Sequence, residues 1–238
     1  MKRVLLLTVL SVFFAAGSVT AQTADSAAAP KAFSADAGLD ILSNYVWRGT
    51  TLDKGPCIQP SLFAGYHHLK LGLLGSYSLK HDFNNIILNL GYTFSTPVGD
   101  ITPLVNDYYY PYESVKFDQY KGDSLSFSHL TEAGLQFQGT KLRLFASVNV
   151  HNDPRRSTYF EAGYKFDANG VEVEPFVGAV SRKSPEWMGA DKAGLLNVGF
   201  KASKKIRLSS TWSLPLYAAA SYHSQQRSFN MMAGISIF

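Results

Sequence analysis

The chain has 238 residues, of which 46% are hydrophobic and 17% are charged, and its formal net charge is +4. This length allows one large β domain or two small ones, with a sizeable core. The weak positive charge gives no reason to expect a nucleic-acid partner, and the single cysteine excludes an internal disulfide.

The first residues have the pattern of an export signal. Lys2 and Arg3 precede an apolar run that ends at Ala16, and small residues follow it. The run is too short for a membrane-spanning helix, which needs about 20 apolar residues. We therefore predict a cleaved signal peptide over residues 1–21 and a flexible, Ala-rich lead-in over residues 22–35.

The remainder, residues 36–238, shows the two-residue alternation of β-strands and no sustained helical periodicity. The first strand is predicted to run through Trp47, and Arg48 falls on its polar face because successive strand side chains point to opposite sides. The fifth strand is the least defined, since it could begin at Ile101 or at Leu104.

A glycine followed by an aromatic or aliphatic residue recurs six times along this region. Five copies precede a short turn, and the last one reaches the C-terminus. The connections at the other strand ends are longer and more polar. Counting the strands that lead to the short turns and those that follow them gives about twelve strands. The short turns are predicted at HHLK, STPVGD, QGTK, DANG and ASKK.

Short turns at one end and long loops at the other, together with an export signal and strands of about ten residues, are typical of bacterial outer-membrane barrels. A bilayer offers the backbone no hydrogen-bond partners, so a sheet can lie there only if it is closed. The predicted fold is therefore all-β, a transmembrane antiparallel up-and-down β-barrel of about 12 strands. The alternative is a soluble sandwich that buries Leu71, Leu144 and Val173 together.

Aromatic residues near the strand ends are predicted to form girdles at the two membrane interfaces. In a soluble sandwich the same residues would be ordinary core residues. They are Trp47, Tyr66, Tyr92, Phe94, Tyr108, Tyr109, Tyr110, Tyr164, Phe166 and Phe200.

The polar strand faces would line the lumen, where charges must be either paired or hydrated. The candidates carry both signs, which fits a water-filled pore or ion pairs that fill the barrel. Side chains fill the interior of barrels of about 8 strands, whereas barrels of 16–18 strands leave an aqueous channel. A barrel of twelve strands is therefore compatible with either a filled or an open lumen. The lumen-lining candidates are Asp40, Arg48, Lys70, Lys80, Glu132, Arg143, Glu161, Lys165, Glu172, Glu174, Lys201 and Arg207.

No motif indicates an enzyme, a metal centre or a cofactor site. The histidine pair at residues 67–68 would face opposite sides of a strand, and neither carboxylate nor cysteine flanks it. The Ser-His pair at 128–129 and the His-Ser pair at 223–224 lack the Asn or Gly surroundings of outer-membrane lipid hydrolases, whose chemistry needs Ser, His and a third polar residue in one cluster. We therefore predict no catalytic residue, no metal and no cofactor.

The stretch DILSNYVWRGTTLDKGPCIQPSLFAGY resembles the opening of the TorF-type porin family. That family begins with a strand ending in Ser-x-Tyr-x-x-Arg-Gly, then a polar loop and a Pro-x-x-Gln-like second strand. The later NLGYTFSTPVGDITPLVNDYYYP resembles its Gly-Tyr strand and following Tyr-rich strand. The resemblance lies mainly over residues 36–112 and implies an outer-membrane barrel with a transport role. The matching residues are Ser43, Tyr45, Arg48, Gly49, Pro56 and Gln59.

These features predict an outer-membrane channel that admits small polar solutes through a narrow lumen of mixed charge. The alternative is a non-conducting structural or surface-interaction barrel that acts through its loops at residues 111–124 and 181–192. In both cases we expect the outer membrane of a Gram-negative cell as the location and outer-membrane lipid as a partner. The sequence indicates no particular protein partner.

Overall fold

The computed structural model describes residues 32–111, 116–120, 129–210 and 212–237. Within these ranges the chain forms β-strands and one short helix, α1 (Pro185–Met188). The strands are β1 (Phe33–Leu42), β2 (Tyr45–Trp47), β3 (Thr50–Asp53), β4 (Cys57–Tyr66), β5 (Leu69–Ser78), β6 (Asn84–Tyr92), β7 (Phe94–Thr96), β8 (Gly99–Tyr109), β9 (His129–Gln138), β10 (Leu142–His151), β11 (Thr158–Tyr164), β12 (Phe166–Asp167), β13 (Glu172–Val180), β14 (Gly194–Arg207), β15 (Ser213–His223) and β16 (Ser228–Ser236).

Twelve strands close into one antiparallel barrel. Each barrel strand pairs with the next one along the chain, and β1 pairs with β16 to complete the ring. β7 and β12 continue β6 and β11, whereas β2 and β3 pair only with each other. The ring order is β1, β4, β5, β6, β8, β9, β10, β11, β13, β14, β15 and β16. The predicted all-β fold and its twelve-strand closed barrel are confirmed.

Alternate residues of each strand point out of the barrel and into it. Leu71 and Leu144 are 51% and 40% exposed on the outside, so they do not meet in the dry core of a sandwich. On β6, Asn85 and Asn89 face inward and are buried, whereas Leu90 is 47% exposed. The outer surface of the barrel is therefore its apolar face.

The connections differ between the two ends of the barrel. The end with brief connections is here the short-turn end, and the opposite one is the loop end. Along the chain the turns at the short-turn end span residues 67–68, 97–98, 139–141 and 168–171, and a fifth connection begins after β14 at residues 208–210.

Two predicted turns differ from the structure. The prediction of a turn at ASKK is wrong, because residues 202–205 lie within β14, which stays paired with β15 as far as Arg207. The chain is exposed on both faces there, so the alternation that would reveal a strand is lost. In STPVGD only residues 97–98 turn, and the fifth barrel strand begins at Gly99, before both predicted starts.

At the N-terminus, β1 begins at Phe33, inside the segment predicted as a lead-in. The predicted signal peptide over residues 1–21 lies outside the described residues. Among the described residues, no helix is long and apolar enough to cross a membrane.

The first strand ends at Leu42 rather than at Trp47. Ser43 and Asn44 bend the chain, with the Ser43 hydroxyl donating to Asn44 Oδ1 at 2.7 Å. Residues 45–53 then form the β2–β3 hairpin, which packs against side chains inside the barrel. We call this hairpin the plug (residues 45–53).

The loop-end half of the barrel encloses an apolar core. Three clusters of buried residues occupy it, and Trp47 of the plug packs against all three. Tyr108 and Tyr110 belong to one cluster, so the prediction that these two residues and Trp47 form an interfacial girdle is wrong. The plug supplies apolar partners inside the barrel, which the alternation pattern alone does not reveal. Five predicted girdle residues are exposed near the short-turn end: Tyr66, Tyr92, Phe94, Tyr164 and Phe166.

Candidate functional site

The plug turns at Arg48 and Gly49, whose φ angles are +50° and +81°. Two consecutive positive φ values are characteristic of a type I′ turn, which matches the twist of a two-residue hairpin. A Cβ atom on Gly49 would lie 2.7 Å from Cβ of Asn197 on β14. The position therefore needs glycine both for its backbone conformation and for its close contact with the barrel wall.

Arg48 at the tip of the plug forms an ion pair with Glu132 on β9. Its Nη2 lies 2.5 Å from Glu132 Oε2, and the exposed fractions of the two side chains are 8% and 0%. The carboxylate also accepts hydrogen bonds from the wall: Asn106 at 3.1 Å, Tyr108 at 3.2 Å and Ser147 at 2.7 Å. Glu132 is therefore fully hydrogen-bonded although it is buried, as a buried charge must be.

The guanidinium of Arg48 also contacts aromatic rings. Its Cζ lies 4.4 Å from the ring centroid of Trp47 and 4.3 Å from that of Tyr159. Nη1 lies 3.8 Å from Sδ of Met188 on α1. Such cation–π contacts are strongest where water is excluded, so the packing reinforces the ion pair with Glu132.

The other side of the plug is attached to β16. Asn230 donates from Nδ2 to the carbonyl oxygen of Gly49 at 2.6 Å and accepts from the Thr51 hydroxyl at 2.6 Å. β9 and β16 are six positions apart in either direction around the twelve-strand ring. The plug is thus bonded to opposite walls and spans the lumen.

Helix α1 covers the plug at the loop end. Met188 is 2% exposed, and Trp187 packs against two of the three apolar clusters. His223 donates from Nε2 to the carbonyl oxygen of Met188 at 2.9 Å and accepts at Nδ1 from the Gln226 amide. In the loop at residues 181–192, Trp187 and Met188 pack inward, whereas residues 181–183, 186 and 191–192 are exposed.

The return strand of the plug is fixed to the β5–β6 loop through Asp53. Its Oδ1 lies 2.5 Å from Nδ1 of His81 and accepts from the amide of Gly55 at 3.1 Å. Burial raises the pKa of Asp53, but hydrogen bonds from Ser78, Gly55 and His81 outweigh it and lower the pKa below its usual value.

A chamber of about 390 Å³ lies on the short-turn side of Arg48. Its wall includes Arg143, Glu161 and Lys201 on one side and polar, uncharged residues on the other. Lys70 and Asp100, which also line it, are exposed near the short turns. The chamber therefore opens at the short-turn end and stops at the plug.

Ion pairs cover the β10–β13 side of the chamber. Arg143 lies 2.5 Å from Glu161 Oε1 and 2.6 Å from Glu174 Oε1. Lys165 lies 3.9 Å from Glu174 and 3.5 Å from Glu172. Tyr159 donates to Glu161 as well. This network holds its charges in mutual contact along one wall.

The structure brings most of the predicted lumen residues together. Arg48, Lys70, Arg143, Glu161 and Lys201 line the chamber. Glu132 and Glu174 are buried in ion pairs with two of these arginines, and Lys165 and Glu172 pair toward the short-turn end. Asp40 lies on the face of β1 that carries buried Leu42 and accepts from the Ser236 hydroxyl. Two lie elsewhere: Lys80 is exposed in the β5–β6 loop, and Arg207 is exposed at the end of β14, where it donates to the carbonyls of Ser209 and Ser210.

The sequence reasoning missed the uncharged residues that hold the plug. Trp47 and Gly49 were read as strand and loop, and Asn230 as one polar strand residue among several. A two-residue turn with glycine in second place, flanked by YVW and TTL, is a hairpin signal that could have revealed them.

His129, of the Ser-His pair at residues 128–129, is buried on the outer face of the barrel. Its Nδ1 lies 2.7 Å from Asp107 Oδ2 and its Nε2 lies 2.8 Å from the carbonyl oxygen of Phe117. Tyr120 stacks on the ring at 4.0 Å between centroids. Ser128 lies outside the described residues. In the described part of the chain, His129 thus fixes the segment 116–120 against the barrel wall.

Within the described residues, no group of three or more His, Cys, Asp and Glu side chains has the arrangement of a metal site. No protein-family model matches the sequence, and no curated protein matches it either.

Proposed function

We propose that the protein is an outer-membrane β-barrel whose lumen is closed by the plug, so that it conducts no solute in this conformation. The closed ring satisfies its backbone hydrogen bonds internally, as a bilayer requires. Its outer face is apolar, and exposed aromatic residues lie near the short-turn end, as in an interfacial girdle. These features support the membrane location expected from the export signal.

The observation that carries the closed state is the filled cross-section at Arg48. The side chain reaches Glu132 on one wall, while the carbonyl of Gly49 is bonded to Asn230 on the opposite wall. Apolar clusters fill the barrel on the loop side of this level. The arrangement supports the non-conducting alternative over an open pore.

The packing also makes a spontaneous opening costly. Separating Arg48 from Glu132 would leave a buried charge without its partner, which typically costs about 3–5 kcal/mol. Removing Trp47, which is partly buried against the three clusters, would add the cost of the cavity that it leaves. The plug is therefore an integral part of the barrel core.

Planar-bilayer recording of the purified, folded barrel tests this proposal. We expect no conductance steps from the native chain, and regular steps once residues 45–53 are replaced by a Gly-Ser linker of the same length. A double Arg155→Ala, Glu186→Ala variant, which alters only an exposed ion pair at the loop end, should stay closed. Steady conductance of the native chain would refute the closed state, and a closed linker variant would refute the role of the plug.

A gated channel is the second candidate, and the polar chamber below the plug favours it. Displacement of one hairpin and α1 would connect this chamber to the loop end. In that case the native chain should show rare openings. These openings should disappear when Thr51→Cys and Asn230→Cys are cross-linked, because the native side chains at these positions are hydrogen-bonded at 2.6 Å.

The resemblance to the TorF-type porins, the signal peptide and the Gram-negative location are part of the same proposal. Expression with the native leader should place the protein in the outer-membrane fraction, with its N-terminus beginning after Ala21. Recovery of the protein in the soluble periplasmic fraction would contradict the membrane location.

A further inference from the structure

The chamber below the plug has the size and closure of a ligand site. Its volume of about 390 Å³ falls within the roughly 300–1,000 Å³ of small-molecule pockets. Arg48 and Trp47 form its closed end, and Lys70 and Asp100 flank its open end. A molecule entering from the short-turn end would therefore stop at the plug.

The charges around this chamber balance. Arg48, Lys70, Arg143 and Lys201 line it together with Asp100 and Glu161. Glu132 and Glu174 pair with the two arginines, and Lys165 pairs with Glu174 and Glu172, so the count with these partners is five cations and five anions. An ionic ligand would lose its hydration and gain no surplus of opposite charge in return. The chamber thus favours a ligand without net charge.

The β6–β9 wall offers uncharged hydrogen-bonding groups. Asn89 donates to Asn106 Oδ1 at 2.7 Å and Asn106 donates in turn to Glu132, and the amide of Gln136 lies on the same wall. The hydroxyls of Thr93 and Thr102 lie 3.0 Å apart beside them. An amide offers both donors and acceptors, which is what a hydroxyl group needs, since it donates and accepts at once.

The closed end adds flat apolar surfaces. Trp47 and Phe145, both partly buried, reach the chamber beside Arg48, whereas Tyr108 and Tyr159 are 5% and 2% exposed and present little surface to it. Aromatic faces supply a large apolar contact area at a fixed orientation, which suits the C–H face of a sugar ring. Amides along one wall and rings at the end are together complementary to a molecule with many hydroxyls and one apolar face.

We infer that the chamber binds a small, uncharged, polyhydroxylated molecule, of the class of a monosaccharide or disaccharide, from the short-turn end. This inference rests on the proposed closed barrel, because the plug forms the end of the site. The ligand makes its hydrogen bonds with the polar residues of the β6–β9 wall and packs against the aromatic residues at the closed end, beside Arg48.

Titration calorimetry with the full barrel tests the inference. The micelles are formed from a detergent without a sugar head group, such as an amine oxide. Glucose and maltose are the neutral probes, and gluconate and glucosamine are the charged ones. We expect saturable binding of at least one neutral probe and binding at least tenfold weaker for both charged probes.

Gln136→Leu should weaken binding of the neutral probe at least tenfold, because its amide lines the chamber. Lys183→Leu, at an exposed position of the loop end, should leave binding unchanged. No saturation by either neutral probe up to about 50 mM, far weaker than a typical small-molecule site, would overturn the inference. Equal binding of a charged probe, or full binding by a folded Gln136→Leu barrel, would overturn it too.

The two proposals fail in different measurements. Conductance of the native chain in a bilayer refutes the closed barrel whatever the calorimetry shows. Absence of sugar binding by a barrel that is closed in the bilayer refutes only the ligand site.

Discussion

Arg48 and Glu132 are 84 residues apart in the chain, yet Nη2 of one lies 2.5 Å from Oε2 of the other in the middle of the barrel. One partner is at the tip of a hairpin and the other is on the barrel wall. An intact ion pair between these two residues therefore indicates that the plug is docked inside the barrel.

The first prediction concerns this pair. Arg48→Met should destabilise the folded barrel by about 3–5 kcal/mol, because Glu132 is left buried without its ion-pair partner. Adding Glu132→Leu should recover part of that loss, since the unpaired charge is gone. Urea unfolding in lipid vesicles, analysed as a double-mutant cycle, measures the coupling. The same cycle on Arg155 and Glu186, which are 48% and 51% exposed, should give no more than about 1 kcal/mol.

A second prediction separates close packing from backbone strain. Gly49→Ala introduces a Cβ 2.7 Å from the Asn197 side chain, whereas Gly170→Ala introduces one with nothing within 4 Å. Their φ angles are +81° and +77°, so the backbone cost of about 1 kcal/mol is the same for both. We expect Gly49→Ala to be the more destabilising by at least about 1 kcal/mol. Equal unfolding free energies would mean that the plug does not press on β14.

A third prediction follows from the lowered pKa of Asp53. A carboxyl group with a lower pKa in the folded state stabilises that state above the unfolded pKa, and the contribution disappears as pH falls through the folded pKa. Asp53→Asn should therefore reduce stability at pH 7. The difference from the native chain should shrink below about pH 4, near the ordinary pKa of Asp. A difference that is constant from pH 7 to pH 3 would contradict an ionised Asp53 as its cause.

A fourth prediction concerns the segment 116–120 on the outer face. The two ring nitrogens of His129 lie 2.7 Å from the carboxylate of Asp107 and 2.8 Å from the carbonyl oxygen of Phe117, so this side chain links the segment to the barrel wall. His129→Ala should release the segment and accelerate trypsin cleavage after Lys116 several-fold. His67→Ala, at a short turn, is the control and should leave the cleavage rate unchanged. An unaltered rate in His129→Ala would show that other contacts hold the segment.

The barrel could be predicted from the sequence because its alternation and its turn spacing are local patterns. Leu71 and Leu144 fall on the outer face as their positions in the pattern require. The C-terminal part of β14 could not be predicted, because exposure on both faces removes the alternation, as at Lys204 and Lys205.

The interior could be predicted only in part. The pattern placed Arg48, Glu132 and Arg143 inside the barrel, but not which charges meet, because pairing across a lumen depends on the register of distant strands. The observed position of Trp47 differs more from its predicted position. An aromatic residue on a strand-like stretch looks the same whether the chain continues along the wall or turns inward at Ser43 and Asn44.

The contacts of the plug also depend on strands that lie far apart in the chain. Two of its anchors outside the hairpin, Glu132 and Asn230, belong to the sixth and the last of the barrel strands. Although the plug is among the first described residues, its docking site is complete only once β16 has joined β1 through their three paired positions. The hairpin can therefore make its contacts with both opposite walls only in a barrel whose ring is closed.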